Sequence, residues 1–296
     1  MALKEQIKKQ MQTNNYLDSL LEVLKMIAAA EYRVLEKQKA TRHAVFMEAF
    51  GAFFHLIDFS AVDHPFRHSR GNLGIIMITS DEGFMGGLNS QVVHKGIEFA
   101  ERDDDELVIF GERGARLLLP TGRHFVSFPG IKGEGRYEGA VKLKDYIVAE
   151  GLANRFGRSV IIYPHAVSFA VQKVETISML PCDQLFEKKL AAALPAREVI
   201  MESAVTDLLG YLIDTWITLI LFNVFDDSKL SEFAARTIHL EESHQRLEGQ
   251  NKILRNQYFR ARRAWIDKQM QDMFAGQIGR RKNEASSQES EFRSQN

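Results

Sequence analysis

The segment ITSDEGFMGGLN, Ile78–Asn89, decides the fold of the middle of the chain because it joins an apolar run to a helical pattern. The run that leads into it, LGIIMITS, has the composition of a buried β-strand. Gly83, Gly86 and Gly87 permit backbone conformations that other residues rarely adopt. The segment therefore predicts a strand, a tight turn and a helix.

A strand, a glycine-rich turn and a helix can bind phosphate at the N-terminus of the helix. This segment lacks the lysine and the spacing of a Walker loop, and it lacks the G-x-G-x-x-G pattern of a dinucleotide site. We interpret Asp81, Asn89 and the three glycines as a structural turn, in which the side chain of Asn89 or Ser90 caps the following helix.

Further short apolar runs on the C-terminal side of the turn have the composition of strands. They are ELVIFG (Glu106–Gly111), HFVSF (His124–Phe128), SVIIYP (Ser159–Pro164) and AVQKVETISML (Ala170–Leu180). Helical patterns lie between several of them, notably Ser90–Glu101 and Tyr137–Asn154. Alternating strands and helices predict a Rossmann-like α/β domain with a largely parallel sheet over residues 70–200.

Two long segments without proline flank this domain, and each carries an apolar stripe at helical spacing. The stripe of the N-terminal segment, residues 1–58, contains Leu3, Ile7, Met11, Leu17, Leu21, Leu24, Ala28 and Leu35. The stripe of the C-terminal segment, residues 201–278, contains Leu240, Leu247, Leu254, Tyr258, Ala261 and Trp265. Two such helices bury their stripes by pairing as an antiparallel coiled coil.

The apolar segment LLGYLIDTWITLILFNVF, Leu208–Phe225, is short for a membrane span and contains Asp214, whose charge opposes insertion. We interpret it as a buried helix. The last residues, 279–296, are polar and contain few apolar side chains, a composition typical of disorder.

Composition and motif spacing argue against several functional classes. The formal net charge of −1 gives no general attraction to nucleic acid, and the single cysteine, Cys182, excludes an internal disulfide. Glu241 and His244 have the spacing of a di-iron ligand pair, but no second pair occurs. The acidic run Asp103–Glu106 lacks the pattern of a calcium loop and predicts a solvated loop. No catalytic, cofactor-binding or metal-ligating residue is therefore predicted.

The order of these parts resembles the gamma subunit of F-type ATP synthases over nearly the whole chain up to Gly276. After its first strand the family has Ser-Asp, a glycine turn and Gly-Gly-Leu-Asn, which are similar to Ser80, Asp81, Gly83 and Gly86–Asn89 here. The first helix of the family has a Met-Val-Ala-Ala stretch, which is similar to Met26–Ala30. Two motifs of its last helix resemble Ser231, Glu232, Ala235 and Arg236, and the stretch Arg260–Ile266.

Some segments depart from the family pattern. They are YLDSLL (Tyr16–Leu21) and Glu22 in the first helix, and TIHLEESHQR (Thr237–Arg246) and Asp267–Gln269 in the last. In the family these surfaces face the catalytic hexamer. The departures are consistent with a divergent gamma subunit from an alternative F-type ATPase.

The resemblance implies a non-catalytic central stalk that rotates inside a hexamer of alpha and beta subunits and couples ion flow to ATP synthesis or hydrolysis. It also implies contacts with the epsilon subunit and the c-ring, and a peripheral location on the cytoplasmic face of the cell membrane. The candidate rotor-interface residues are Lys8, Lys9, Met26, Arg236, Arg255, Arg260, Arg262, Arg263 and Trp265.

Two other interpretations stay open from the residues alone. One is an α/β enzyme that binds a nucleotide or phosphate at Gly83–Asn89 and dimerises through its helices. The other is a coiled-coil scaffold unrelated to the synthase. Binding of ATP to the isolated chain would favour the first, and no association with alpha and beta subunits would favour the second.

Overall fold

The computed structural model describes residues 2–54, 57–59, 62, 64–67, 71–131, 135–153, 155–182, 194–195 and 204–294, with the side chains after Ile278 outside that description. The chain divides into two compact units. We call residues 24–240 the α/β unit, and residues 1–23 with 241–296 the chain-end unit. The long helices α1 (Ala2–Phe54) and α5 (Val205–Ser294) contribute to both units.

The α/β unit is built on a five-stranded sheet with the strand order β4-β3-β2-β5-β6. Its strands are β2 (Asn72–Ile78), β3 (Glu106–Phe110), β4 (Phe125–Phe128), β5 (Phe156–Ala166) and β6 (Gln172–Leu180). The first four in this order pair in parallel, and β6 is antiparallel to β5. A separate short parallel pair joins β1 (Ile57–Asp58) to β7 (Leu194–Pro195). The predicted largely parallel sheet is confirmed.

Helices cover both faces of this sheet, which explains why its central strand reads as a continuous apolar run. Successive side chains of a strand point to opposite faces. Ile75 and Met77 of β2 pack in one cluster with residues of α2 (Leu88–Phe99) and α3 (Glu112–Leu118). Ile76 and Ile78 pack in the other cluster with residues of α4 (Arg136–Leu152) and α5.

The apolar part of α5 lies in the second of these clusters. Leu209, Ile213, Ile217, Leu221 and Phe225 are fully buried, so the predicted buried helix is confirmed. By length and composition alone, one helix among the described residues, Val205–Ile278, is apolar enough to cross a membrane, a test that the core helix of a soluble protein also passes. Its most apolar stretch is instead packed against the sheet.

In the chain-end unit, α1 and α5 pair in an antiparallel coiled coil, as predicted. The ammonium of Lys4 lies 4.8 Å from the centre of the Trp265 ring, and Asp18 contacts His244. The least exposed positions recur at steps of three and four, the spacing of a heptad seam. They are residues 4, 7, 11, 14, 18 and 21 of α1 and residues 244, 247, 251, 254, 258, 261 and 265 of α5.

The seam differs from the predicted stripe at one stretch of α1. Leu17 is 42% exposed and lies outside the seam, which contains Asn14 and Asp18 instead. The period of the α-helix decides which side chains of α1 face α5. Asn14 and Asp18 therefore lie in the seam, although Leu17 is more hydrophobic. The predicted stripe residue Leu3 has its side chain outside the described part of the chain.

Helix α5 continues to Ser294, which differs from the disorder predicted for residues 279–296. This end of the chain contains no proline, and after Trp265 its only glycines are Gly276 and Gly279. Alanine, glutamate, glutamine, lysine and arginine all favour helix, so the sequence provides no stop signal despite its polarity. Helix α1 ends at Phe54, within the N-terminal segment of residues 1–58.

Candidate functional site: the glycine turn and the helix surfaces

Side chains at both ends hold the glycine turn, defined here as residues 79–87. Asn89 lies in the first turn of α2, where its Oδ1 accepts the Ser80 N–H at 3.3 Å and its Nδ2 donates to Ser80 Oγ at 3.0 Å. The predicted capping role of Asn89 or Ser90 is wrong, because Gly87 is the N-cap of α2 and no side chain caps that helix. Asn89 ties the helix back to the strand instead.

Asp81 connects the glycine turn to two other loops. Its Oδ1 accepts the N–H of Glu112 and the N–H of Gly130, each at 2.9 Å. Since Glu112 is the first residue of α3, the carboxylate satisfies a free donor at the positive end of that helix. A Cβ on Gly130 would lie 2.6 Å from Cγ of Asp81, so this contact requires glycine. The dipeptide Pro129-Gly130 is typical of a turn at this loop.

Only one of the three predicted glycines has a left-handed backbone. Gly86 has a φ of 59°, whereas Gly83 and Gly87 do not have positive φ. Phe84 also has a positive φ, 63°, and its side chain is 53% exposed. A non-glycine residue in this region is uncommon, so the contacts around the turn must hold it there.

Arg236 of α5 is one of those contacts. Its Nη2 lies 2.9 Å from Oε2 of Glu82 and 2.6 Å from Oε1 of Glu232, and its Nε donates to the Gly83 carbonyl at 3.4 Å. The Arg236 side chain is only 12% exposed. Sequence reasoning placed Arg236 at an interface with a partner, but the structure directs it onto the glycine turn of its own unit. The two segments lie 153 residues apart, so no local pattern could have joined them.

The other basic candidates lie on the surface of the chain-end unit. Lys8, Lys9, Arg255, Arg260, Arg262 and Arg263 are all exposed. Arg255 keeps a local contact, with its guanidinium 5.9 Å from the centre of the Phe259 ring. In the α/β unit, the candidate Met26 is 56% exposed.

Trp265 differs from these candidates because it is partly covered within its own unit. It occupies the last seam position of α5 in contact with α1, beneath the ammonium of Lys4. A substitution at Trp265 would therefore disturb the coiled coil as well as any partner contact.

Two exposed apolar stripes lie on the helices of the chain-end unit. On α1, Tyr16, Leu20 and Val23 recur at helical spacing and are all exposed. On α5, beyond Trp265, the stripe contains Ile266, Met270, Met273, Phe274 and Ile278. Both stripes have the same three-and-four spacing that marks the seam.

The motifs that suggested metal sites have other roles. Among the described residues, no group of three or more histidine, cysteine, aspartate and glutamate side chains is placed to hold a metal ion. His244 contacts Asp18, and Glu241 accepts from the side chain of Gln245. In the acidic run, Asp105 is buried and accepts the N–H groups of Leu73 and Arg102, so the predicted solvated loop is wrong for this residue.

Comparison with known proteins identifies the family. The family model described as ATP synthase matches residues 3–278. The chain is 23% identical to the ATP synthase gamma chain of Trichlorobacter lovleyi and 24% identical to that of Halothermothrix orenii. Each match covers 93% of this chain and 98% of the relative. The chain belongs to the gamma subunit family of ATP synthases.

Chains in two solved ATP synthase assemblies have a similar fold. A chain of the Euglena gracilis mitochondrial ATP synthase, solved as an assembly of OSCP, F1 and c-ring, matches with a TM-score of 0.70 at 15% identity over 94% of both chains. A chain of the Tetrahymena thermophila central stalk and c-ring matches with a TM-score of 0.56 at 19% identity, over 76% of this chain and 99% of that one. The chain is thus a gamma subunit of an ATP synthase.

Proposed function

We propose that this gamma subunit is a shaft without an active site of its own, which turns inside a hexamer of alpha and beta subunits. Its chain-end unit contacts the hexamer, and ATP chemistry takes place on the partners. The glycine turn supports the non-catalytic assignment, because Asp81 and Arg236 are both occupied by contacts within the α/β unit.

The observation that carries this proposal is the unpaired end of α5. Lys4, near the start of α1, lies over Trp265, yet α5 continues to Ser294. From Ile266 onward every described side chain is exposed, including a stripe of five large apolar residues. An apolar stripe on a single exposed helix needs a partner surface. A hexamer with a central opening provides one around the whole circumference.

The remaining partners and the location are also proposals. We assign the c-ring as a partner because two of the similar solved chains come from assemblies that contain a c-ring, and the epsilon subunit because the sequence resembles the gamma family. Such an assembly places the chain peripherally at a membrane, and we propose the cytoplasmic face of the cell membrane. The driving ion is a proton or a sodium ion.

Two acidic substitutions on the α5 stripe test the hexamer contact. Met273→Asp with Phe274→Asp should weaken co-purification with co-expressed alpha and beta subunits at least ten-fold, since each apolar side chain contributes about 1.5 to 3 kcal/mol when fully buried. Gln271→Asp with Gln277→Asp introduces the same charge at exposed polar positions of the same helix and should weaken it less. Equal recovery of both double variants with the hexamer would contradict the proposed contact.

A further inference from the structure

The coiled coil of the chain-end unit contains polar contacts where a seam normally has apolar ones. Nδ1 of His244 lies 2.7 Å from Oδ1 of Asp18, and both side chains are at least 70% buried. Nearby, Nδ2 of the seam residue Asn251 donates to Oδ1 of Asn15 at 3.3 Å, and Asn15 is exposed beside the seam. We call these four residues the polar layer.

A glycine lies within α5 in the same stretch. Gly249 lies between His244 and Asn251, and a Cβ added there would meet no atom within 4 Å. No packing contact therefore requires glycine at this position. In a helix interior, glycine lowers helix stability relative to alanine because its unfolded backbone has more freedom.

These two features weaken the same segment for independent reasons. Opening an apolar layer exposes apolar surface to water, which is costly. Opening the polar layer exposes groups that water can satisfy, so it costs less. The layer on its C-terminal side, with Leu254, Tyr258 and Ala261 in the seam, is apolar.

We propose that residues 244–251 of α5 and the facing residues 14–18 of α1 form a point of local opening in the coiled coil. The two helices separate and bend there more readily than in the apolar layers on its C-terminal side. Local stability in a folded protein follows buried apolar contact, and low-stability segments are where elements move. The opening follows from the two helices themselves, whatever partner surrounds them.

Amide hydrogen exchange in the full-length chain tests this proposal. We expect the amides of residues 248–252 to exchange at least about ten-fold faster than those of residues 254–261. If the coiled coil opened by fraying from the N-terminal end of α1, residues 254–261 would exchange faster than residues 248–252, because residues 254–261 lie closer to that end. Exchange at 248–252 that is equal to or slower than at 254–261 would overturn the proposal.

Two variants separate the contributions of the glycine and the polar layer. Gly249→Ala should slow exchange at residues 248–252 about five-fold, from the helix preference of alanine over glycine. Gly276→Ala changes another glycine of α5 that has no atom within 4 Å of its Cβ position, and it should leave exchange at 248–252 unchanged. Asp18→Leu with His244→Leu should also slow this exchange. An unchanged rate in both Gly249→Ala and the double variant would overturn the proposal.

Discussion

At the scale of single residues, the structure distinguishes glycines that the sequence treats alike. Gly86 has a φ of 59°, so Gly86→Ala places a Cβ in the left-handed region and should cost about 1 to 2 kcal/mol of unfolding free energy. Gly87 has a φ of −90° with only the Gln91 side chain at 3.9 Å, so Gly87→Ala should be tolerated. Denaturant unfolding of both variants measures the difference. Equal losses would show that the turn depends on something other than backbone conformation.

Two arginines test how far burial strengthens an ion pair. Arg236 and Arg116 each pair with a glutamate four residues earlier at 2.6 Å, but their side chains are 12% and 63% exposed. Arg236→Ala should cost about 1.5 to 3 kcal/mol of unfolding free energy, since it also releases Glu82 and the Gly83 carbonyl. Arg116→Ala should cost about 0 to 1 kcal/mol. Unfolding free energies that fall by the same amount would mean that Arg236 does not hold the turn.

At the scale of elements, we expect the exposed arginines of α5 to act in coupling rather than in assembly. Arg262→Ala with Arg263→Ala should lower ATPase activity coupled to ion transport while the complex still assembles, because exposed ion pairs contribute only about 0 to 1 kcal/mol. The matched control is Arg246→Ala with Lys252→Ala, two exposed cations that pair with Glu242 and Glu248 of their own helix. The same activity in both double variants would remove Arg262 and Arg263 from the interface.

Helices and strands were predictable from the sequence where a single effect, such as burial on both faces of the sheet, sets the pattern of residues. The central strands are buried on both faces, so their apolar runs are continuous and unambiguous. The short helix α3, seven residues with a glycine inside it, has too little periodicity to be recognised. The seam was only partly predictable, because counting apolar residues selected Leu17 and passed over Asp18, whose partner His244 is 226 positions away.

At the scale of the whole molecule, the order of helices and strands along the chain predicted the architecture. The candidate functional site depends on contacts between segments that are far apart in the sequence. Two long helices at the ends of the chain and an α/β domain between them predicted the coiled coil. The resemblance to the family also needed the motifs at Ser80–Asn89 and Arg260–Ile266. The same information could not show that Arg236 contacts the glycine turn of its own unit. That contact depends on which face of α5 meets the turn, and two segments 153 residues apart leave no local pattern.

The most direct test of the central claim is native mass spectrometry of this chain co-expressed with the alpha and beta subunits of the same genome. A shaft inside a hexamer predicts one complex with a single copy of this chain for three alpha and three beta subunits. Its exposed apolar stripes would be covered by those partners. A stable homodimer of this chain that ignores alpha and beta subunits would contradict the account.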